Sequence, residues 1–559
     1  MPPIQPTPQD NSVNRKRLIV CCDGTGQASS TGRAEVPTNV SRLVQALKTS
    51  HIRLPVGEDG RLKVHRGVEE VPQIVLYQTG IGSTGVTRFS KGLAGAFGIG
   101  VDEHILEAYC FIANNFETGD EVFLFGFSRG AFTARAVASL MCYAGLLKKE
   151  SLGYLPQLYT EYKKRRADKA SKDKFEEWWK TEGRNFQHNI DEITLRILGV
   201  WDTVSSIGIP QTWVSDVLGL NRLREWYNSR HAYHDTSLPG KKDHSDNDPR
   251  AYVHRAFQAL SLEENRTSFE PILLRFPRQP DGKPEHGPAF QQCWFPGVHT
   301  DVGGGYERDY RDISDLSLAW MVDMCWPYLN FHPLTEIFQR KMLVQGDDGK
   351  TLKEVEPKPE RWGLTKAHDE IKASFMFALG GSTARKPKQY YLGQRFSKDG
   401  EVLPDDRRVA THEYIHASVR RRMMLFEQDG SPWQPPSLDG FVLEKDDKGW
   451  KWVKKIKVRG KWQSIAIREW MPGAGCAEDS EESALLDEEV RQALLDDEAV
   501  KRIKFVTLPS RNWLRILGLT IVIGVVAAWY VYSKHSNSDW LSHPSVALSS
   551  FLSRYNVGL

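Results

Sequence analysis

An α/β fold with a mainly parallel sheet, helical insertions and a C-terminal transmembrane helix is the class that the 559-residue sequence predicts. Three observations carry this prediction. Short apolar runs recur without polar alternation, as in "RLIVCC", "VFLFGF" and "ITLRILGVW". Strands of this kind are buried on both faces, the condition of a parallel sheet covered by helices. Segments of helical period stand between them, as in "TNVSRLVQALKTS" and "DEHILEAYCFIANNF". Finally, "WLRILGLTIVIGVVAAWYVYS" carries no charge from Ile516 to Tyr532, close to the length that crosses a bilayer.

Residues 1–15 are polar and proline-rich with no apolar signal region, and are expected to be disordered. "RLIVCCDGTGQ" is a strand feeding a glycine-rich turn, followed by a helix with Val40, Leu43, Val44 and Leu47 on one face. "PQIVLYQTGIG" repeats the strand-then-glycine pattern. The helix "DEHILEAYCFIANNF", the strand "DEVFLFGF" and the helix "RGAFTARAVASLMCYAGLL" follow in turn. Residues 151–190 read as a helical, mixed-charge insertion, either a lid or a solvated excursion. "EITLRILGVWDT" is one more strand, and residues 221–250 read as a loop.

This series gives a main domain over 16–330 and an extension over 331–475 packing on it. In the extension, "GWKWVKKIKVRGKWQSIAI" suggests strands with basic outward positions. Residues 476–510 are an acidic, then amphipathic spacer, 513–533 the membrane span and 534–559 a short tail. Trp513, Trp529, Tyr530 and Tyr532 lie where an interfacial belt would. Lys501, Arg502, Lys504, Arg511 and Arg515 precede the span, against Lys534 and Arg554 after it. That bias predicts a single-pass, tail-anchored protein whose large domain faces the cytoplasm.

With 74 basic and 71 acidic residues, the formal charge of +3 gives no argument for nucleic acid as a partner. The seven cysteines are scattered, with no CxxC and no zinc-finger spacing, so reduced thiols are expected. No metal or cofactor motif emerges. "GIGSTG" (Gly80, Gly82, Gly85) matches a dinucleotide fingerprint, but the glycine-rich sequence after it lacks the required helix, and a pocket-lining loop is the better reading.

"GFSRG" places Ser128 between Gly126 and Gly130, with a strand before and a helix after. Such a turn holds a nucleophile out on an unfavourable backbone, and small flanking residues let the neighbouring backbone approach. The backbone N–H of Arg129, at the helix start, is a candidate oxyanion donor. A weaker second donor lies at Gly24 or Thr25 in "CCDGTGQ", where the alternative is that Asp23 closes a turn. Ser382 in "FMFALGGSTARKPKQ" fails the same context test because Pro387 follows too soon for a helix.

An activated serine needs a base, and the base an orienting acid. Asp202 follows a strand in "LRILGVWDTVSSIG", and His299 sits in the glycine-flanked "CWFPGVHTDVGGGY", read as a mobile loop. Order and context favour Ser128, Asp202 and His299. His231, His234, His254 and His416 remain rival bases, and Asp23 and Asp301 rival acids.

Taken in order, "LIVCCDGTGQ", "GFSRGAFTAR", "VWDTVSSIG", "ALSLEENRTSFEP" and "FPGVHTDVGGGY" resemble the catalytic domain of the type VI secretion phospholipase (Tle) effectors, over about residues 16–330. "HEYIHASVRRR" is a weaker echo. The resemblance implies an α/β-hydrolase-like fold and a serine acyl-hydrolase cleaving phospholipid esters, with the triad on Ser128, Asp202 and His299. The apolar segment at 513–533 departs from a secreted toxin. A membrane-anchored serine ester hydrolase acting on lipid, without a cofactor, is the expectation. The alternative is a non-catalytic, membrane-tethered scaffold with the same fold.

Overall fold

The computed structural model describes residues 15–24, 37–53, 69–80, 100–164, most of 173–188, 193–204, 253–274, 289–306, 312–332, 342–345, 352–355, four residues between 363 and 368, 382–390, 411–428, 431–458 and 460–471. All lie in the first of the two units into which the chain divides, Met1–Phe505 and Val506–Leu559. The expected span at 513–533, the spacer at 476–510, the loop at 221–250, Gly82 and Gly85 lie outside the described residues. Among the described residues no helix is long and apolar enough to cross a membrane.

The strands are β1 (Arg17–Cys22), β2 (Ser50–Arg53), β3 (Glu69–Gln78), β4 (Glu121–Phe127), β5 (Thr194–Trp201), β6 (Val253–Ser261), β7 (Ala289–Phe295), β8 (Met342–Gln345), β9 (Leu352–Val355), β10 (Glu413–His416), β11 (Glu427–Gln428), β12 (Ser431–Pro432), β13 (Val442–Asp446), β14 (Gly449–Val458) and β15 (Lys461–Trp470). Eleven of them form one sheet in the order β13-β14-β15-β10-β7-β6-β5-β4-β1-β3-β2, while β8–β9 and β11–β12 are separate pairs. From β3 through β15 the neighbours run parallel, and only β2–β3, β13–β14 and β14–β15 are antiparallel.

Helices α1 (Asn39–Ala46) and α6 (Asp312–Cys325) pack on one face, α2 (Val101–Asn115) and α3 (Arg129–Ala144) on the other. The central strands show why their sequence does not alternate. Leu18, Val20, Val122 and Leu124 enter the core beneath α2 and α3, while Ile19, Cys21, Phe123 and Phe125 enter that beneath α1 and α6. Successive side chains point to opposite faces, and here both faces are dry.

Part of the insertion expected at 151–190 packs one face on the core instead of standing off in solvent. Helix α4 (Leu155–Lys164) buries Leu155, Leu158, Tyr159 and Tyr162 in the α2–α3 core. The Tyr162 hydroxyl meets Ser139 Oγ at 3.0 Å, and the Tyr159 hydroxyl donates to Asp102 at 2.9 Å. Apolar residues at helical spacing turned the mixed-charge segment into a packed layer.

Residues past 330 continue the same sheet. β10 pairs with β7, and helix α7 (Ala417–Leu425) follows it. Trp294 Nε1 donates to Glu413 at 2.9 Å across that junction. A third apolar cluster, with Trp294, Ile415, Val419, Trp452 and Ile467, joins β7 to β10, α7, β14 and β15.

Candidate active site

Three consecutive parallel strands, β4, β5 and β6, hold the first two residues of the site. Ser128 follows β4 with φ 58° and ψ −121°, a region that residues with a Cβ enter at a cost. Its N–H still donates to the Trp201 carbonyl at 3.1 Å, so the ladder holds the turn in place. Close approach explains both glycines. A Cβ on Gly126 would lie 2.4 Å from the Gly130 carbonyl oxygen, and one on Gly130 would lie 2.2 Å from that of Cys22. Asp202 follows β5, also at positive φ (40°), with its N–H on the Ala259 carbonyl at 2.7 Å.

His299 follows β7 and differs from its expectation as a mobile loop residue. It begins a short helix, α5 (His299–Gly303), and is buried. The Asp301 carboxylate fixes this start by accepting from the Val298 N–H at 2.9 Å, and Gly303 lets the turn lie against the Phe127 ring. Phe127 and Phe269 flank the imidazole with ring centroids at 4.7 and 5.0 Å.

These elements bring the three residues into one line. His299 Nε2 lies 2.8 Å from Ser128 Oγ, and His299 Nδ1 lies 2.6 Å from Asp202 Oδ2. Asp202 accepts further hydrogen bonds from the Ser261 N–H and hydroxyl, both at 3.1 Å. With Nδ1–H on Asp202, the other ring nitrogen faces the hydroxyl as an acceptor, and the arrangement can take the serine proton.

Residue types alone did not reveal the next layer. Arg385 places Nη1 at 2.8 Å from Asp202 Oδ1 and Nη2 at 3.0 Å from Oδ2, with a third bond to the Phe269 carbonyl at 2.8 Å. Arg385 lies three residues past Ser382, in the stretch that failed as a nucleophile turn. That stretch instead crosses to the site, where Thr383 N–H donates to the Asn265 carbonyl at 2.8 Å. Glu264 accepts from the His299 N–H at 3.3 Å and is paired with Arg266 at 2.7 Å; the Arg266 guanidinium covers the Phe269 ring. The "SLEENRTSFEP" motif held both residues, but nothing in their spacing gave their roles.

Electrostatics favour a neutral base beside an ionised acid. Burial raises the Asp202 carboxyl, but the Arg385 charge and the His299 hydrogen bond outweigh it and hold the group well below the usual carboxylate range. Burial lowers the imidazole of His299, and the bond to Asp202 restores only part of the difference. The directions agree physically: Arg385 already balances the Asp202 charge, leaving less to stabilise an imidazolium.

The rivals are placed elsewhere. Asp301 bonds His368 Nδ1 at 2.6 Å, His254 lies beside Arg196, and His416 bonds the Ser418 hydroxyl. His231 and His234 lie outside the described residues. Asp23 accepts from the Thr38 and Tyr77 hydroxyls, at 2.7 and 2.6 Å, and from the Gly24 N–H at 2.6 Å. The Gly24 N–H, a candidate oxyanion donor, is therefore engaged, and Thr25 lies outside the described residues. Arg129 is the first residue of α3, where N–H groups have no intrahelical acceptor. Among the described residues no group of three or more His, Cys, Asp or Glu could hold a metal ion.

Residues 16–324 match the family model described as "T6SS, Phospholipase effector Tle1-like, catalytic domain". The chain belongs to this Tle1-like family. Ser128, Asp202 and His299 all fall inside the matched residues, whereas Arg385 lies beyond them. A Saccharomyces cerevisiae relative, "Uncharacterized protein YEL023C", is 30% identical over 220 residues, 36% of this chain and 28% of the relative. Two solved structures are similar at 18% identity. One is an uncharacterized protein from Pseudomonas aeruginosa (TM-score 0.31, 56% of this chain, 46% of that one). The other is the Tle1 effector bound to the VgrG spike from the Type 6 secretion system (TM-score 0.24, 53% and 52%). The chain thus spans about half or less of the length of these Tle1-like and uncharacterised relatives.

Proposed function

We propose that this Tle1-like protein is a serine ester hydrolase acting on phospholipid acyl esters. The observation that carries the reading is the position of His299, whose two ring nitrogens reach Ser128 Oγ at 2.8 Å and Asp202 Oδ2 at 2.6 Å. Membership of a family described as phospholipase effectors supports the substrate class.

In this mechanism His299 Nε2 takes the Ser128 proton as Oγ bonds to the ester carbonyl carbon, and Asp202 stabilises the imidazolium. The Arg129 N–H donates to the developing oxyanion. Collapse expels the alcohol, which leaves with the proton held on Nε2, and an acyl-serine remains. Water then loses a proton to His299 and attacks that acyl carbon; the fatty acid departs and Ser128 recovers its proton. The apolar segment at 513–533, as a membrane anchor below a cytoplasmic domain, would keep the site beside its lipid.

Fluorophosphonate labelling of the purified full chain tests the reading, with Ser128→Ala and His299→Ala alongside. The expected result is labelling of the parent alone, with ester turnover down roughly 10³-fold or more in each variant. A folded parent that stays unlabelled both in solution and with phospholipid vesicles would overturn the assignment and favour a non-catalytic scaffold.

A further inference from the structure

The basic stretch "GWKWVKKIKVRGKWQSIAI" forms β14 and β15 and supplies nothing to the site around Ser128. From Lys448 to Arg468 every charged residue is basic. Beside β13 that charge is balanced. Lys451 lies 3.4 Å from Glu444 and 3.5 Å from Asp446, and Arg468 bonds Asp446 at 2.7 Å. β13 accompanies β14 only as far as Val453, and β10 accompanies β15 only from Arg468 onward. Past those points the hairpin continues as a ribbon two strands wide. Among the described residues no carboxylate pairs with Lys455 or Lys457 there.

The two faces of this ribbon differ. Trp452, Ile465 and Ile467 turn one face into the third apolar cluster, with Ile456 packed beside them. Alternation places the cross-strand pairs Val453–Ala466, Lys455–Ser464 and Lys457–Trp462 on the other face. Lys455 and Lys457 are exposed, and Trp462, at 71%, is the most exposed of the large apolar side chains. Val442, 49% exposed, stands opposite Val453 and extends the apolar strip onto β13. The outer face thus joins an indole, a short aliphatic strip and two unbalanced ammonium groups.

We propose that this outer face docks on the surface of an anionic phospholipid bilayer, with the Trp462 indole at headgroup level and Lys455 and Lys457 against the lipid anions. Indoles settle at that level because one part of the ring is apolar and the N–H is polar. Lysine stems lie along apolar surface while their heads stay in water, beside phosphate and carboxylate groups. Other occupants fit less well. A ribbon two strands wide is about 10 Å across, too narrow for the roughly 1,200 Å² that a stable protein–protein interface buries. Single-stranded nucleic acid takes a basic groove with several stacking aromatics, and this face offers one indole.

The test adds the full chain to preformed phosphatidylcholine vesicles with or without phosphatidylserine and separates bound protein by flotation. Lys455→Gln/Lys457→Gln and Trp462→Ala are compared with the parent, and thermal melting checks that each is folded. Phosphatidylserine should strengthen binding. The double lysine variant should lose roughly 30-fold in affinity for those vesicles, about fivefold for each charge. Trp462→Ala should lose roughly 10-fold, and added salt should weaken the lysine share but not the tryptophan share. Hydrogen exchange reads the hairpin directly even where the segment at 513–533 holds the chain on both kinds of vesicle. Residues 453–467 should exchange more slowly on phosphatidylserine vesicles than on phosphatidylcholine alone.

Flotation and exchange both indifferent to phosphatidylserine, or a preference untouched in both variants, would overturn the proposal. Release of the parent from vesicles by a single-stranded oligonucleotide that neither variant binds would assign the face to nucleic acid instead. Binding is read without turnover, so its outcome stands apart from whether Ser128 is a nucleophile. Fluorophosphonate labelling of Ser128 in solution should be the same in the parent and in both variants.

Discussion

Arg385 grips both carboxylate oxygens of Asp202, at 2.8 and 3.0 Å, across 183 positions of chain. The pair is fully buried and lies directly behind His299. Breaking a buried pair from one side leaves an uncompensated charge, which costs about 3–5 kcal/mol.

Arg385→Met should therefore lower the melting temperature and the turnover of a soluble ester, with Arg385→Lys recovering part of both. A change in the pH profile distinguishes positioning from mere stability. Without Arg385 the Asp202 charge faces His299 unbalanced and favours the imidazolium, so the acid limb of kcat/KM should move to higher pH. An unmoved limb in a folded, active variant would count against this role.

The lowered imidazole of His299 sets a pH window. The base must be neutral, so the acid limb of kcat/KM should have its half-maximal point below pH 6.5, the ordinary value. Stability follows the same sign. The unfolded chain protonates this histidine at its ordinary value and the folded chain only at a lower one, so the contribution is present above the ordinary value and lost as pH falls from there through the lowered folded value. Half-maximal activity at or above pH 6.5 would contradict the burial argument.

Gly130 makes a steric prediction. An added Cβ would meet the carbonyl oxygens of Cys22 and Asp23 at 2.2 and 2.4 Å, and both are backbone. Gly130→Ala must push the start of α3 away from β1. It should cost about 1–3 kcal/mol, as overpacking does, and slow fluorophosphonate labelling of Ser128. Gly153→Ala, with nothing within 4 Å, is the matched control and should leave labelling unchanged.

The sequence by itself determined the local features. Apolar runs without alternation marked β1, β4 and β5 as strands covered on both faces, because a two-residue period buries every position only when both sides are dry. Glycines two positions either side of Ser128 marked the turn, because backbone approaches there that no Cβ survives. The order of Ser128, Asp202 and His299 could be read along the chain, although their distances could not.

Tertiary structure alone decided the surroundings. Nothing in "GGSTARKPKQ" indicates that Arg385 meets Asp202, since a single charged residue carries no record of its partner. That pairing depends on which segments the fold brings to the ends of β5 and β6. His299 read as mobile from its glycines, yet Asp301 and the packing of Gly303 on Phe127 bury it at a helix start. Asp23 likewise found its partners on Thr38 and Tyr77, in separate elements. Periodicity and turn chemistry act over a few residues and are written in the sequence, whereas charge pairing acts through space and awaits the fold.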